Sequence, residues 1–316
     1  ATIRKTAIRK VETDSLGIIG KTLGKYSIIR RIGSGGMGTA YEALDQALQR
    51  KVALKVMNAA PDQTAKDLFR REGITVAKLR HPYIVVVHEM GEVEGTWFIA
   101  MEYLEGETLE DALAGNKLSL TQKKEIFAKI LSALAYAHSM GAVHRDLKPA
   151  NIILVQRRVD EHHTVLEPVI IDFGLALLRS LGTDALAGLA AGTPPYMAPE
   201  QTQGEGIGPW TDVHTLATIL WELFEGQLPV PQEAAEDAWQ YLERRMGILE
   251  KGIPDFPKDF SPAIRDILTK GMALDPANRY RNAAEFKAAM LEVEAQEEAA
   301  MLEVLEGEQH RLLEER

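Results

Sequence analysis

The sequence predicts an α+β chain in two parts, a small β-rich lobe followed by a larger, mostly helical one. Between Tyr26 and Ala100 the apolar residues fall in short β-branched runs, Tyr26–Ile32, Lys51–Met57, Ile84–Glu89 and Thr96–Met101, which is strand patterning. After Leu109 the period changes. Ile126, Ile130, Leu131, Leu134 and His138 recur at helical spacing and form one buried stripe. A short link near Glu102–Gly106 separates the two regimes.

Residues 1–24 come first, with Arg4, Lys5, Arg9 and Lys10 making them basic and a glycine-spaced run closing them. The strand from Tyr26 leads into Gly33-Ser34-Gly35-Gly36-Met37-Gly38, and Thr39–Ala43 alternates as a returning strand. On the next strand, alternation turns Val52, Leu54 and Val56 to the core and leaves Ala53 and Lys55 on the opposite face. A helix over Thr64–Leu79 is expected to pack on this antiparallel sheet, with Phe69, Val76 and Leu79 as its apolar stripe and Glu72 inside that stripe. Among the later helices, the runs 152–155 and 165–171 predict a hairpin with a solvated tip within Gln156–Pro168. Its adjacent His162 and His163 are more simply loop residues than metal ligands. Beyond Met290 the chain is Glu-rich, with Leu302, Leu305, Leu312 and Leu313, and reads as a solvated terminal helix or linker, or as a partner-binding helix.

Composition narrows the function. A net charge of −10 argues against nucleic-acid binding over the whole surface. The absence of cysteine excludes disulfides, thiolate metal sites and a cysteine nucleophile, and fits a reducing cytosol. No apolar run reaches the roughly 18 residues that span a bilayer, and no signal peptide is expected. Because the first residue is Ala1, a trimmed fragment is expected, either a cytoplasmic chain or the cytosolic part of a longer membrane-anchored protein.

The glycine pattern G-x-G-x-x-G serves dinucleotide folds when a helix opens at its last glycine. Here a strand follows, so the loop is a hairpin able to lie over a triphosphate, its amides free of Cβ obstruction. Lys55, beside small Ala53, reaches toward phosphates. Glu72 on a buried stripe needs a cation, for which Lys55 is the natural candidate. Further on, His144-Arg145-Asp146-Leu147-Lys148-Pro149-Ala150-Asn151 places Asp, Lys and Asn at spacings of two and three. In-line phosphoryl transfer to a hydroxyl needs a carboxylate to orient and deprotonate it, a cation near the γ-phosphate and oxygen ligands for a hard metal. Asp146, Lys148 and Asn151 supply these in that order. The strand Val169-Ile170-Ile171 then delivers Asp172 before Phe173-Gly174, a second oxygen ligand suited to Mg²⁺.

On these motifs, with Ala198-Pro199-Glu200, Asp212 and Arg279, the sequence resembles the eukaryotic-like (Hanks-type) serine/threonine protein kinases, particularly their bacterial branch, over residues 24–292. The resemblance implies a two-lobed protein kinase fold with N-lobe 25–101, hinge 102–106 and C-lobe 107–292, preceded by the basic extension and followed by an acidic tail from 293. It implies transfer of phosphate from ATP to protein serine and threonine, with Mg²⁺ as cofactor and Mn²⁺ as its substitute. In that reading Lys55 contacts phosphates and pairs with Glu72. Asp146 is the base, Lys148 stabilises the γ-phosphate, and Asn151 and Asp172 bind metal. Gly33, Gly35, Gly36 and Gly38 cover the phosphates. Glu102 and Leu104 offer backbone hydrogen bonds to adenine, Met101 stands behind it, and Ile32, Ala40, Ala53 and Ile153 sandwich the base. Glu200 and Arg279 form a buried ion pair, and Asp212 braces the catalytic loop.

Ala40 stands where the family usually has Val, which predicts weaker ATP binding. Ala185 and Ala187 occupy the usual phosphothreonine positions upstream of Gly192-Thr193. Activation is therefore expected through packing of the apolar segment Leu186–Ala191 against a protein surface, either another copy of the kinase or the flanking segments 1–24 and 292–316, the alternative being phosphorylation of Ser180 or Thr183. Two further readings remain open: a pseudokinase scaffold, and a kinase for small molecules such as choline or aminoglycosides.

Overall fold

The structure, a computed structural model, describes residues 16–35, 38–57, 63–160, 164–173, 194–204, 206–234, 236–253, 256 and 260–314. The chain divides into two compact units, one of Ala1–Ala60 with Val87–Tyr103 and one of Pro61–Val86 with Leu104–Arg316.

The first unit is one antiparallel sheet. Its strands are β1 (Thr22–Leu23), β2 (Tyr26–Gly35), β3 (Gly38–Asp45), β4 (Arg50–Met57), β5 (Val87–Val93) and β6 (Thr96–Glu102), in the order β1-β2-β3-β4-β6-β5. The core is made by alternation. Val52, Leu54 and Val56 are fully buried and meet Tyr26, Ile28, Tyr41, Phe98 and Ala100, each large apolar side chain contributing about 2 kcal/mol. The intervening Ala53 and Lys55 are only half-buried. Leu16, Ile18 and Leu23 pack on this core as well, so the stretch read as the end of an extension belongs to the sheet's hydrophobic face.

The second unit holds helix α1 (Gln63–Ala77), strand β7 (Gly106–Thr108), and helices α2 (Leu109–Ala114) and α3 (Leu120–Ser139). It continues with strands β8 (Ile152–Arg158) and β9 (Thr164–Ile170), then α4 (Pro199–Gln203), α5 (Pro209–Glu225), α6 (Ala238–Glu250), α7 (Pro262–Gly271) and α8 (Ala283–Glu314). Local chemistry sets the starts. Ser119 and Gln122 form a capping box on α3, and proline occupies the first turn of α4, α5 and α7. Helix α5 is buried almost all round, its apolar residues Val213, Leu216, Ile219, Leu220 and Leu223 alternating with buried Thr211, Asp212, His214, Thr215 and Thr218. Such a helix forms the centre of its unit.

One expectation is corrected. The strand read at Ile84–Glu89 begins at Val87, because Ile84 instead forms a parallel bridge with Ile170 and is buried in the second unit. The expected hairpin is present and its pairing extends outward beyond the two apolar runs: Gln156 faces Leu166, Arg157 faces Val165 and Arg158 faces Thr164. Pro168 is tolerated there because β9 is an edge strand of the order β7-β8-β9. The Glu-rich tail lies in α8, which runs unbroken from Ala283 to Glu314. His162 and His163 lie outside the described residues. Among the described residues no helix is long and apolar enough to cross a membrane.

Candidate active site

The expected site residues are divided between the two units, and each set is organised by its own secondary structure. In the first unit the β2–β3 hairpin carries the glycines, with Gly33 opposite Ala40 and Gly35 opposite Gly38. Gly38 cannot bear a side chain, because a Cβ there would lie 2.5 Å from the Val56 carbonyl oxygen on β4. Gly33, by contrast, has open space where its Cβ would be. The last glycine is thus explained by sheet packing, and the first leaves its peptide accessible. Gly36 lies outside the described residues.

Register then collects one face of the sheet. Ala40 pairs with Lys55, and Ala53 pairs with Met101. Ala40, Ala53 and Lys55 are half-buried, Met101 is buried, and Ile32 is an exposed apolar residue beside the loop. Glu102 closes β6 opposite Val52.

In the second unit the loop His144–Asn151 is held by α5. Asp212, 1% exposed, accepts from the backbone N–H groups of His144 at 2.7 Å and Arg145 at 2.8 Å. His138 Nε2 also meets it at 2.8 Å, while the Nδ1 of His138 accepts from the Ala283 N–H at 3.1 Å. Burial pushes the Asp212 carboxyl up, but His138, His144 and the loop amides outweigh it and hold its pKa below the usual range. Arg145 adopts the left-handed conformation, φ 66°, rare for a non-glycine residue. Bonds that over-determine a turn are what keep such strain in place.

Beyond this turn, Lys148 Nζ lies 3.5 Å from Asp146 Oδ2. Asn151 Nδ2 donates to the Asp146 carbonyl at 2.7 Å and to its Oδ2 at 3.3 Å. Strand pairing completes the group. Ile152 faces Ile170, and the Ile171 N–H donates to the Asn151 carbonyl at 2.9 Å. Asn151 and Asp172 therefore stand at the same end of one hairpin. Asp172 is also left-handed, φ 64°. His144 locks this end, with its Nε2 on the Ile171 carbonyl at 2.9 Å and its ring 4.6 Å from that of Phe173. Ile153, on the same β8 strand, is half-buried and pairs with Val169 and Thr108.

A small cavity beside Asp146 is walled by Tyr196, Met197, Gln201 and Thr215, so the segment ahead of α4 flanks the same loop. That segment is pinned on several sides. Thr215 donates to the Tyr196 carbonyl at 2.9 Å, and Tyr196 donates to Glu222 at 2.5 Å. Arg245, fully buried, donates to the Met197 carbonyl at 2.7 Å and to His214 Nε2 at 2.9 Å. Burial lowers the Arg245 pKa to about 10 and takes His214 well below its ordinary value. The expected Glu200–Arg279 pair is present as a bidentate contact, 2.8 and 2.9 Å, with both side chains buried.

Sequence reading missed two linking residues. Gln201 accepts from the Ala198 N–H at 2.9 Å and donates to the Arg145 carbonyl at 2.6 Å, tying the start of α4 to the loop His144–Asn151. His138 was counted in an apolar stripe, yet its ring is a polar bridge. Only its place four residues after buried Leu134 was visible. Glu72 falls within α1 of the second unit, but its side chain, Gly174, and the segment with Ser180, Thr183, Ala185, Ala187 and Gly192-Thr193 lie outside the described residues. Leu104, half-buried, opens the second unit's share of the link.

Comparison with known proteins agrees with this geometry. Residues 26–290 match the protein kinase domain. The chain is 34% identical over 276 residues to the serine/threonine-protein kinase PrkC of Bacillus subtilis, covering 86% of this chain and 41% of that one. It is also 34% identical over 286 residues to PknA of Mycobacterium tuberculosis, covering 88% and 63%. It thus spans only part of the length of the curated relatives it matches. The crystal structure of the Mycobacterium tuberculosis PknI kinase domain superposes with a TM-score of 0.62 at 28% identity, covering 87% of this chain and 98% of that one. The chain belongs to the protein kinase family, in its bacterial Hanks-type serine/threonine branch.

Proposed function

We propose that this chain transfers the γ-phosphate of ATP to serine and threonine hydroxyls of protein substrates. The observation that carries the reading is the gathering of Asp146, Lys148, Asn151 and Asp172 around one hairpin end, with Asp146 held between a cation and an amide. Asp146 orients the acceptor hydroxyl and takes its proton at a carboxylate oxygen as the oxygen attacks phosphorus in line. Lys148 neutralises charge on the transferring group, and Lys55 on β4 holds the remaining phosphates with Glu72 as its partner. Leu104 and Glu102 present backbone groups to adenine, while Ile32, Ala40, Ala53, Met101 and Ile153 enclose it.

The donor set fits Mg²⁺, with Mn²⁺ as substitute. The Asn151 amide nitrogen is turned to Asp146, which leaves its oxygen as the ligand atom, and Asp172 supplies a carboxylate. Among the described residues no group of three or more His, Cys, Asp or Glu side chains gathers to cage an ion. Two protein oxygens suit a metal that keeps its water and substrate-phosphate ligands. Such an ion supplies charge neutralisation at the phosphates. The kinase domain is assigned to 25–292, and self-association is assigned as the route to activation, on the strength of Ala185 and Ala187 at the usual phosphosite positions.

Incubation with γ-labelled ATP, Mg²⁺ and generic protein substrates, followed by phosphoamino-acid analysis, tests the reading. Phosphoserine and phosphothreonine are expected. Label confined to tyrosine, or transferred to choline or an aminoglycoside instead of protein, overturns it.

A further inference from the structure

Three side chains of the first unit, from β2, β4 and the residue after β6, converge on one carboxylate that no step above uses. Glu42 on β3 is 4% exposed. Arg30 on β2 pairs with it directly in register and forms a 2.7 Å ion pair. Lys51 on β4 reaches it at 3.0 Å. Tyr103, the residue after β6, completes the cluster: Arg30 donates to its hydroxyl at 2.9 Å, and the Lys51 ammonium sits 5.3 Å from its ring centroid. Strand register explains the gathering. Val52 faces Glu102, so one residue further along, Lys51 and Tyr103 stand side by side.

Burial pushes the Glu42 pKa up, and Lys51, Tyr103 and Arg30 more than offset it, so the carboxylate is held ionised. A buried carboxylate is costly unless it is paired in good geometry. The cations themselves are about half exposed at the side chain, 57% and 53%, so the pairing is worth little as surface electrostatics. What it does is immobilise Tyr103, whose backbone lies between the Glu102 carbonyl and the Leu104 N–H.

We propose that Glu42, with Arg30 and Lys51, clamps Tyr103 and thereby sets the purine selectivity of the nucleotide site. This rests on the reading that Glu102 and Leu104 contact the base. Adenine offers a donor at its exocyclic amine and an acceptor at N1, matching a carbonyl and an N–H. Guanine offers an acceptor at O6 and a donor at N1, the reverse pattern. A peptide free to rotate accommodates either edge, whereas a fixed one rejects guanine, because its own polar groups are then left unpaired. Glu42 and Tyr103 are positioning residues in this account, acting through the backbone between them.

The test compares kcat/KM for ATP and GTP in the wild type, Glu42→Gln, Tyr103→Ala and the milder Arg30→Met, with melting temperature measured alongside. The wild type is expected to prefer ATP by at least a hundredfold. In Glu42→Gln and Tyr103→Ala that ratio is expected to fall about tenfold, through a raised KM for ATP and a lowered KM for GTP, with kcat at saturating ATP within twofold. Arg30→Met is expected to move the ratio the same way by a smaller factor. A wild type indifferent to the base sinks the reading of Glu102 and Leu104, and the clamp with it. A selective wild type whose folded variants keep the full ratio overturns the clamp alone and leaves the cluster a stabilising brace.

Discussion

Asp212 illustrates how one side chain sets a conformation it does not itself perform chemistry in. Its two oxygens hold the amides of His144 and Arg145 and meet the His138 ring. Asp212→Asn keeps the volume but turns a donor toward those donors. We expect a loss of about 3 kcal/mol of stability and a fall in phosphoryl transfer. The pH dependence has a defined sign. The folded pKa is lowered, so the stabilisation is present above the unfolded carboxylate value of about 3.9 and disappears as pH falls through the folded value. Melting curves of wild type and variant should therefore differ at neutral pH and converge in strong acid, and a constant gap at all pH would contradict this. At this scale the sequence told much. Asp146, Lys148 and Asn151 were legible because one loop holds them within five residues of each other. Glu42, Arg30, Lys51 and Tyr103 were not, because nothing local reveals which strands face each other.

At the scale of elements, the β8–β9 hairpin separates what positions the site from what extends beyond it. The base pairs Ile152 with Ile170 and sets Asn151 beside Ile171. The distal part pairs Gln156 with Leu166 and Arg158 with Thr164, and Arg157 meets Glu167 at 2.8 Å on its surface. Replacing residues 157–165 with Asn-Gly, a two-residue turn suited to antiparallel strands, should leave kcat for ATP-dependent transfer within about twofold while the proximal register survives. A collapse of activity in a folded variant would place the distal hairpin in function. This element was half legible. The apolar runs 152–155 and 165–171 announced two strands, but the polar alternation of Gln156 to Thr164 resembles a loop when the partner strand is unseen. The three-residue β7 and two-residue β1 carry too few residues for any period to show.

For the whole molecule, the two-part division was legible from the change of period near Leu109. Which unit claims residues 61–86 was not, since membership depends on contacts that sequence spacing does not encode. Long-range ion pairs behave likewise: Glu200 and Arg279 met through family resemblance, not through spacing. Their buried bidentate contact joins α4 to the segment before α8. Removing one partner, Arg279→Met, should cost about 3–5 kcal/mol. The double variant Glu200→Met with Arg279→Met should recover part of that loss in denaturant melts. Additive losses would mean that the two residues act independently. The central claim, that this chain is a working protein kinase with Asp146 as its base, is tested most directly by comparing wild type with Asp146→Asn in ATP binding and in label transfer to protein. The account predicts unchanged nucleotide affinity and a rate reduced by about a thousandfold. Equal rates in the two proteins, or no transfer by the wild type despite tight ATP binding, would contradict it.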